Sequence, residues 1–193
     1  GVVGLFTMRE GAGLQPMRSE KGFLHQVLSV FDFKTFAKNR ELFFVFLIMT
    51  AYFVCFNFYF THVGNYFIYT LGFPEGTAGV IQGVGLLVAV LFTIPAARFI
   101  NRGGQAKAIV LSVISTVIGL VILGFSGTRI ALMELGIVLA GVGYVLVLQT
   151  TTAWAKNLYP EQQRGQYEGV RILFFVLIPM IIGPSCASLV INR

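Results

Sequence analysis

Long apolar runs, each closed by a short polar or glycine- and proline-bearing link, organise most of this chain. The runs at 42–71, 78–100, 108–126, 131–154 and 170–191 are joined by GFPEGT, NRGGQAK, GTRI and AKNLYPEQQRGQYEG. Each is long enough to cross a bilayer as a helix, for which about 20 residues suffice. No sustained alternation of apolar and polar residues competes for a strand reading. Backbone groups in hydrocarbon must find partners within their own segment, so the runs are predicted to be helices. The pattern therefore predicts an all-α membrane protein, a polytopic bundle of about five transmembrane helices.

Ahead of the bundle, residues 1–7 read as the end of a preceding transmembrane helix and 8–41 as a loop; 42–193 is the bundle itself. Within the loop, Phe23, Leu24, Val27, Leu28 and Phe31 recur at helical spacing, with polar residues between them. That pattern predicts an amphipathic helix lying on the membrane surface, with Lys34, Lys38 and Arg40 near the anionic headgroups. Such a helix reads as an anchoring connector first and as a docking element second. The chain opens on GVVGLFTMRE without an initiating Met and stops at Asn192 and Arg193, where a span finishes. This reads as a piece of a larger protein.

Composition agrees with the pattern. The chain is 56% hydrophobic and 11% charged, against about 25% charged in soluble domains. The net charge of +6 would suit a nucleic-acid partner, but its distribution argues otherwise. Of the 14 basic residues, all but Arg129 and Arg193 fall in or beside segments on one side of the membrane. This is the positive-inside asymmetry, and it makes loops 8–41, 101–107 and 155–169 cytoplasmic in a multi-pass protein of a cell or inner membrane. The implied partner is the lipid bilayer, not nucleic acid. Cys55 and Cys186 lie within spans, and His25 and His62 have no acidic or thiol neighbours at ligand spacing, so no metal site is expected. Neither HExxH nor GxSxG occurs, no acids pair within a span, and GxxxxGK[ST] is missing. The chain does not read as an enzyme or a nucleotide-driven pump.

The stretch FNFYFTHVGNYFIYT at 56–70 carries the most chemistry. On a helix with Asn57 at zero, Thr50 falls at about 20°, Thr61 at 40°, Asn65 at 80°, Tyr69 at 120°, His62 at 140° and Tyr66 at 180°. Phe53, Phe56, Phe60, Val63 and Phe67 gather on the opposite side, at about 240–320°. The aromatic side is expected to face lipid. The polar arc is expected to face protein or a cavity, although hydrogen bonds between helices are the simpler explanation for one or two of its members. Rings and amides together suit a sugar-like solute. Gln82, Gln149 and Trp154 join Asn57, Thr61, His62, Asn65, Tyr66 and Tyr69 as candidate cavity residues. Gly79, Gly83 and Gly85, and likewise Gly136, Gly141 and Gly143, predict close helix packing. Pro179 and Pro184 with Gly183 predict a kink. Arg98, Arg102, Lys107, Arg164, Glu168 and Arg171 form a candidate cytoplasmic gate, in which Glu168 can pair with both Arg164 and Arg171. Glu134 sits near an outer span end and is expected to be solvated.

ARFINRGGQAK after Pro95-Ala96-Ala97, and LYPEQQRGQYEGVR followed by IGPS, resemble loop signatures of the major facilitator superfamily. NYFIYTLG at 65–72 resembles the seventh-helix stretch of the glycoside–pentoside–hexuronide:cation symporters. The resemblance implies half of a major-facilitator-type fold, comprising the central loop and helices 7–11, whose partner is a missing amino-terminal half. It further implies cation-coupled uptake of a sugar or glycoside by alternating access. No cofactor is expected beyond a coupling ion, Na+ or H+. An exporter of drugs or other amphipathic solutes, and a non-transporting solute sensor of the same fold, are the alternatives.

Overall fold

The computed structural model describes residues 39–101, 104–159 and 164–191. The expectations for residues 1–38, including the surface helix, and for Arg102 lie outside these.

Helix α1 (Arg40–Asn65) starts where the side-chain oxygen of Asn39 accepts the backbone N–H of Leu42 at 3.4 Å. This satisfies one of the donors that a helix start leaves open. The helix runs on through a π turn, Tyr66–Thr70. Gly72, at φ +74°, then turns the chain, and Pro74 leads into α2 (Glu75–Leu91). Next comes α3 (Thr93–Asn101). The break at Phe92 has a local cause: Pro95 has no N–H to give, so the ladder of the preceding helix cannot continue through it. Helix α4 (Gln105–Phe125) and α5 (Ile130–Leu158) follow, joined through Gly127 at φ +53°. Last come α6 (Arg164–Ile172), a π turn at Leu173–Leu177 and α7 (Ile178–Ile191).

These elements form five helices long and apolar enough to cross a membrane: Arg40–Thr70, Glu75–Arg98, Gln105–Phe125, Ile130–Leu158 and Tyr167–Val190. They are called the first to fifth spans below. Among the described residues there is no strand. The expected kink in the fifth span takes a different form. Pro179 and Pro184 lie within continuous helix, and the irregularity is the π turn just before Pro179. A proline N–H is missing there too, and a wider turn accommodates the freed carbonyl.

Half of the apolar stretch of the fourth span is buried, against a third or less in each other span, which makes it the axis of the bundle. Small residues let its neighbours approach, as expected where lipid removes any hydrophobic drive between helices. A Cβ at Gly119 would lie 2.6 Å from the Gly136 carbonyl, and one at Gly136 would lie 2.8 Å from the Gly119 carbonyl. A Cβ on Gly143 would collide with Thr116 and Ser112, one on Gly85 would lie 2.5 Å from Ile137, and one on Gly141 would lie 2.7 Å from Ala89. Gly79 and Gly83 differ from expectation: both are exposed, with nothing near enough to meet a side chain. Glu134 is half-buried, its carboxylate against Gly85, and not fully solvated as expected.

The aromatic side of the first span also corrects the sequence reading. Phe53, Phe56, Val63 and Phe67 are buried inside the bundle, while Phe60 is partly exposed. Both lipid and a membrane-protein core are apolar, so hydrophobicity alone cannot tell a lipid-facing side from a core-facing one. The exposed side carries Phe43, Phe44 and Leu47 towards the basic end of the bundle, and Thr61, Asn65 and Tyr69 towards the other.

Candidate functional site

A hollow of about 350 Å³ opens among four spans, lined by Phe53, Phe56, Asn57, Phe60, Leu86, Tyr144, Phe175, Val176 and Met180. Residues 53–60 lie near the middle of the first span, so the hollow sits at mid-depth. The first span reaches it because Gly183 of the fifth lets the two backbones touch: a Cβ there would fall 2.8 Å from the Asn57 Cβ and 2.9 Å from the Val54 carbonyl.

The walls are rings held by one another. Phe53 meets Phe175 edge-on at 4.6 Å between centroids and Tyr144 edge-on at 5.3 Å. Phe56 lies against Tyr144 at 4.6 Å and stacks with Phe60 at 5.3 Å. Asn57 donates its amide N–H to the Phe53 carbonyl at 2.8 Å. Its amide oxygen and the Tyr144 hydroxyl are therefore the lining's main polar offering. Outside the hollow, Tyr52 shares a hydrogen bond of 2.7 Å with Thr116 and so ties the first span to the third.

The nine candidate cavity residues do not converge. Asn57 lines the hollow. His62 and Tyr66 instead border a second crevice of about 270 Å³, between the first and third spans, with Phe58, Tyr59, Leu120 and Leu123. Nε2 of His62 is walled off there, without a hydrogen-bond partner among the described residues. Thr61, Asn65 and Tyr69 form an exposed stripe, and the Thr61 hydroxyl donates to the Asn57 carbonyl at 2.9 Å. Gln82 donates to its own helix at the Ala78 carbonyl, 3.3 Å away, and lies beside Gly64. The side-chain oxygen of Gln149 is buried, without a partner among the described residues. Trp154 sits at the basic end, its indole N–H donating to Glu41 at 2.9 Å. Glu41 and Asn65 stand at opposite ends of α1, about 36 Å apart at helical rise, so one small solute cannot touch both Trp154 and Asn65.

Sequence reasoning missed most of the residues that do line the hollow, above all Tyr144, Phe175 and Met180. Their signal was present but weak: rings at comparable depth on several spans, including the FF pair at 174–175.

At the basic end, Arg171 donates from Nε to Glu168 at 2.7 Å and from a terminal nitrogen to Thr152 at 3.4 Å, bridging the fourth and fifth spans. Lys156 adds a second ion pair to Glu168 at 3.8 Å. The expected Arg164–Glu168 pair is not formed; Arg164 is exposed, and Glu168 turns to Arg171 and Lys156. Arg98 and Lys107 are exposed, and Lys107 lies along an apolar groove of the third span with Val110 and Ile114. Beneath the ion pairs, Tyr159 stacks on Tyr167 at 5.4 Å, and Phe46 stacks on Phe174 at 5.5 Å. Burial, with a smaller push from Glu168 and an opposing pull from Arg171, holds the Tyr159 phenol above its ordinary range. The Thr50 hydroxyl donates to the Phe174 carbonyl at 2.9 Å, joining the first span to the π turn.

Among the described residues, no group of histidines, cysteines and acids could hold a metal ion. Neither a curated protein nor a solved structure matches the chain significantly. The sequence profile of the Major Facilitator Superfamily matches residues 42–193, which take in all five spans but the first two residues of the first. This integral, multi-pass membrane protein of apolar helices wrapped about an aromatic hollow belongs to the major facilitator superfamily of transporters.

Proposed function

We propose that this chain forms one wall of a solute pathway for small, ring-bearing amphipathic molecules, moved by alternating access. The lining of the mid-depth hollow carries this reading. Its volume falls in the range of small-molecule sites, about 300–1,000 Å³. Its walls are rings and aliphatic chains, with Asn57 and Tyr144 as the polar anchors. A solute with many hydroxyls would leave several unpaired against these walls, at a cost of about 1–3 kcal/mol each. A flat apolar solute with one or two hydrogen-bonding groups fits without that loss. Spans built around a central site, with the two ends opening in turn, supply the mechanism known for such folds.

Cation-coupled uptake of a sugar or glycoside is the second reading. The faces of Phe56 and Tyr144 can stack on a sugar ring, and Thr61 and Asn65 lie exposed one and two turns beyond Asn57. Coupling to Na+ or H+, and a second half of the transporter completing the pathway, rest on the resemblance to the symporters.

The test is flux in proteoliposomes holding the complete transporter, with a labelled aromatic amphipathic cation and a labelled hexose offered in parallel. Both are measured with and without imposed Na+ and H+ gradients. Flux of the amphipathic probe, reduced by Phe56→Ala, supports the proposal. Gradient-driven hexose accumulation that Asn57→Ala abolishes would replace it with the symporter reading. Saturable binding without flux would identify a sensor.

A further inference from the structure

Arg171 occupies an unusual junction. Its guanidinium carbon stands 5.9 Å above the ring of Phe175, while Glu168 and Thr152 hold the same group from the side. Phe175 belongs to the π turn at Leu173–Leu177 and lines the hollow. Its ring abuts Phe53, which abuts Tyr144. The π turn widens the ladder, with the Ile178 N–H bonded to the Leu173 carbonyl, and so shifts its side chains from the positions a regular α-helix would give them. A ring on such a turn is directed by what it packs against.

We infer that Arg171 is a positioning residue for the hollow: acting through Phe175, it sets the wall against which a solute packs. The inference rests on the hollow being the solute site. The guanidinium lies over an aromatic face within the ~6 Å at which cation–π attraction operates. Glu168 and Thr152 prevent it from swinging away. The side chain of Arg171 is only 18% exposed, so water weakens the attraction little. A lysine ammonium is also drawn to a ring face, but it lacks the planar group and the fork of donors that engage Phe175, Glu168 and Thr152 together. The ion pair at the basic end and the shape of the mid-depth wall are thereby one structure.

Two experiments on the complete transporter in lipid decide the matter. In the first, Phe175→Trp is introduced after every other tryptophan of the complete transporter, Trp154 included, is replaced by phenylalanine, and its fluorescence anisotropy is read with and without Arg171→Lys. The inference expects lower anisotropy and a shifted emission maximum with lysine; unchanged spectra overturn it. The second is a double-mutant cycle on binding of the labelled aromatic cation. Arg171→Lys is expected to weaken binding about five-fold in the wild-type background and not at all beside Phe175→Leu. An equal loss in both backgrounds would make Arg171 a strut of the ion-pair cluster and overturn the inference. The spectroscopic arm needs no solute. If the wild-type protein binds no aromatic cation, the proposed substrate class fails, while the positioning of Phe175 by Arg171 is still decided.

Discussion

The two hollows of the first span make an instructive pair. Both are bordered by its rings. The mid-depth hollow gathers side chains from four spans and is walled by interlocked rings around Asn57. Among the described residues, the crevice at His62 is lined by the first and third spans alone, and its histidine nitrogen finds no partner. A helical wheel puts Asn57, His62 and Tyr66 on one polar half. The bundle separates them, because the neighbouring helices divide that half into sectors: the fifth span meets Asn57 at Gly183, and the third span meets the side that carries Tyr52 and His62. A polar arc on one helix is thus a statement about that helix, not about a site.

The strongest way to break the contrast is to force the spans apart at the hollow. Gly183→Leu places a side chain where Asn57 and the Val54 carbonyl already lie within 3 Å. We expect it to remove most of the monodisperse, transport-competent protein, since overpacking a tight contact costs about 1–3 kcal/mol or more. Gly83→Leu, at an exposed glycine with open space around it, should leave yield and thermal stability unchanged. Equal damage from both would mean that close approach at Gly183 does not build the hollow.

Next in size is a difference in affinity. Phe56→Ala should raise the half-saturation for the transported solute about tenfold, equivalent to ~1.4 kcal/mol of lost contact. His62→Gln should stay within about twofold, in line with a crevice outside the solute path. A reversed order would move the site to the crevice. A smaller effect concerns the tie between the first and third spans. Tyr52→Phe removes the hydrogen bond to Thr116 and should lower unfolding free energy by about 0.6 kcal/mol, the usual size of such bonds in membranes. Solute affinity should not change, because neither partner lines the mid-depth hollow. Smallest of all, Trp154→Phe keeps a ring and loses one exposed hydrogen bond to Glu41. We expect a stability change of about 0.5 kcal/mol or less and unaltered solute affinity. A tenfold loss of affinity would return Trp154 to the site.

What could be read from the chain follows the physics of each feature. Helix, span and link were legible because lipid imposes length and apolarity on every segment; the break at Phe92 was not, since Pro95 falls inside an unbroken apolar run. Packing at Gly136, Gly141 and Gly143 was legible too, whereas Gly79 and Gly83 carry the same letter and face outward. The orientation of the first span was misread because phenylalanine is equally at home against lipid and against other helices. The walls of the hollow escaped notice for a related reason. Tyr144 and Phe175 lie far from Phe53 in sequence, and no periodicity on one helix announces which ring of another will meet it. Local spacing offered Glu168 both Arg171 and Arg164, and only the pair with Arg171 formed. Thr152 and Lys156 completed the cluster only through the fold.

The backbone contact between Gly119 and Gly136 has a mechanical consequence. Two helices whose peptide groups touch, with Ser115 donating to the Leu139 carbonyl at 2.7 Å a turn away, have no side-chain cushion along which to slide. They behave as a laminated beam: bending one bends the other. Deformation of the bundle is then carried by the spans that retain compliance, and the first and fifth each contain a wide turn. Paired spin labels on the third and fourth spans should keep one sharp distance when solute binds. Labels on the first and fifth should broaden or shift, making the transporter a stiff spine with two hinged flanks.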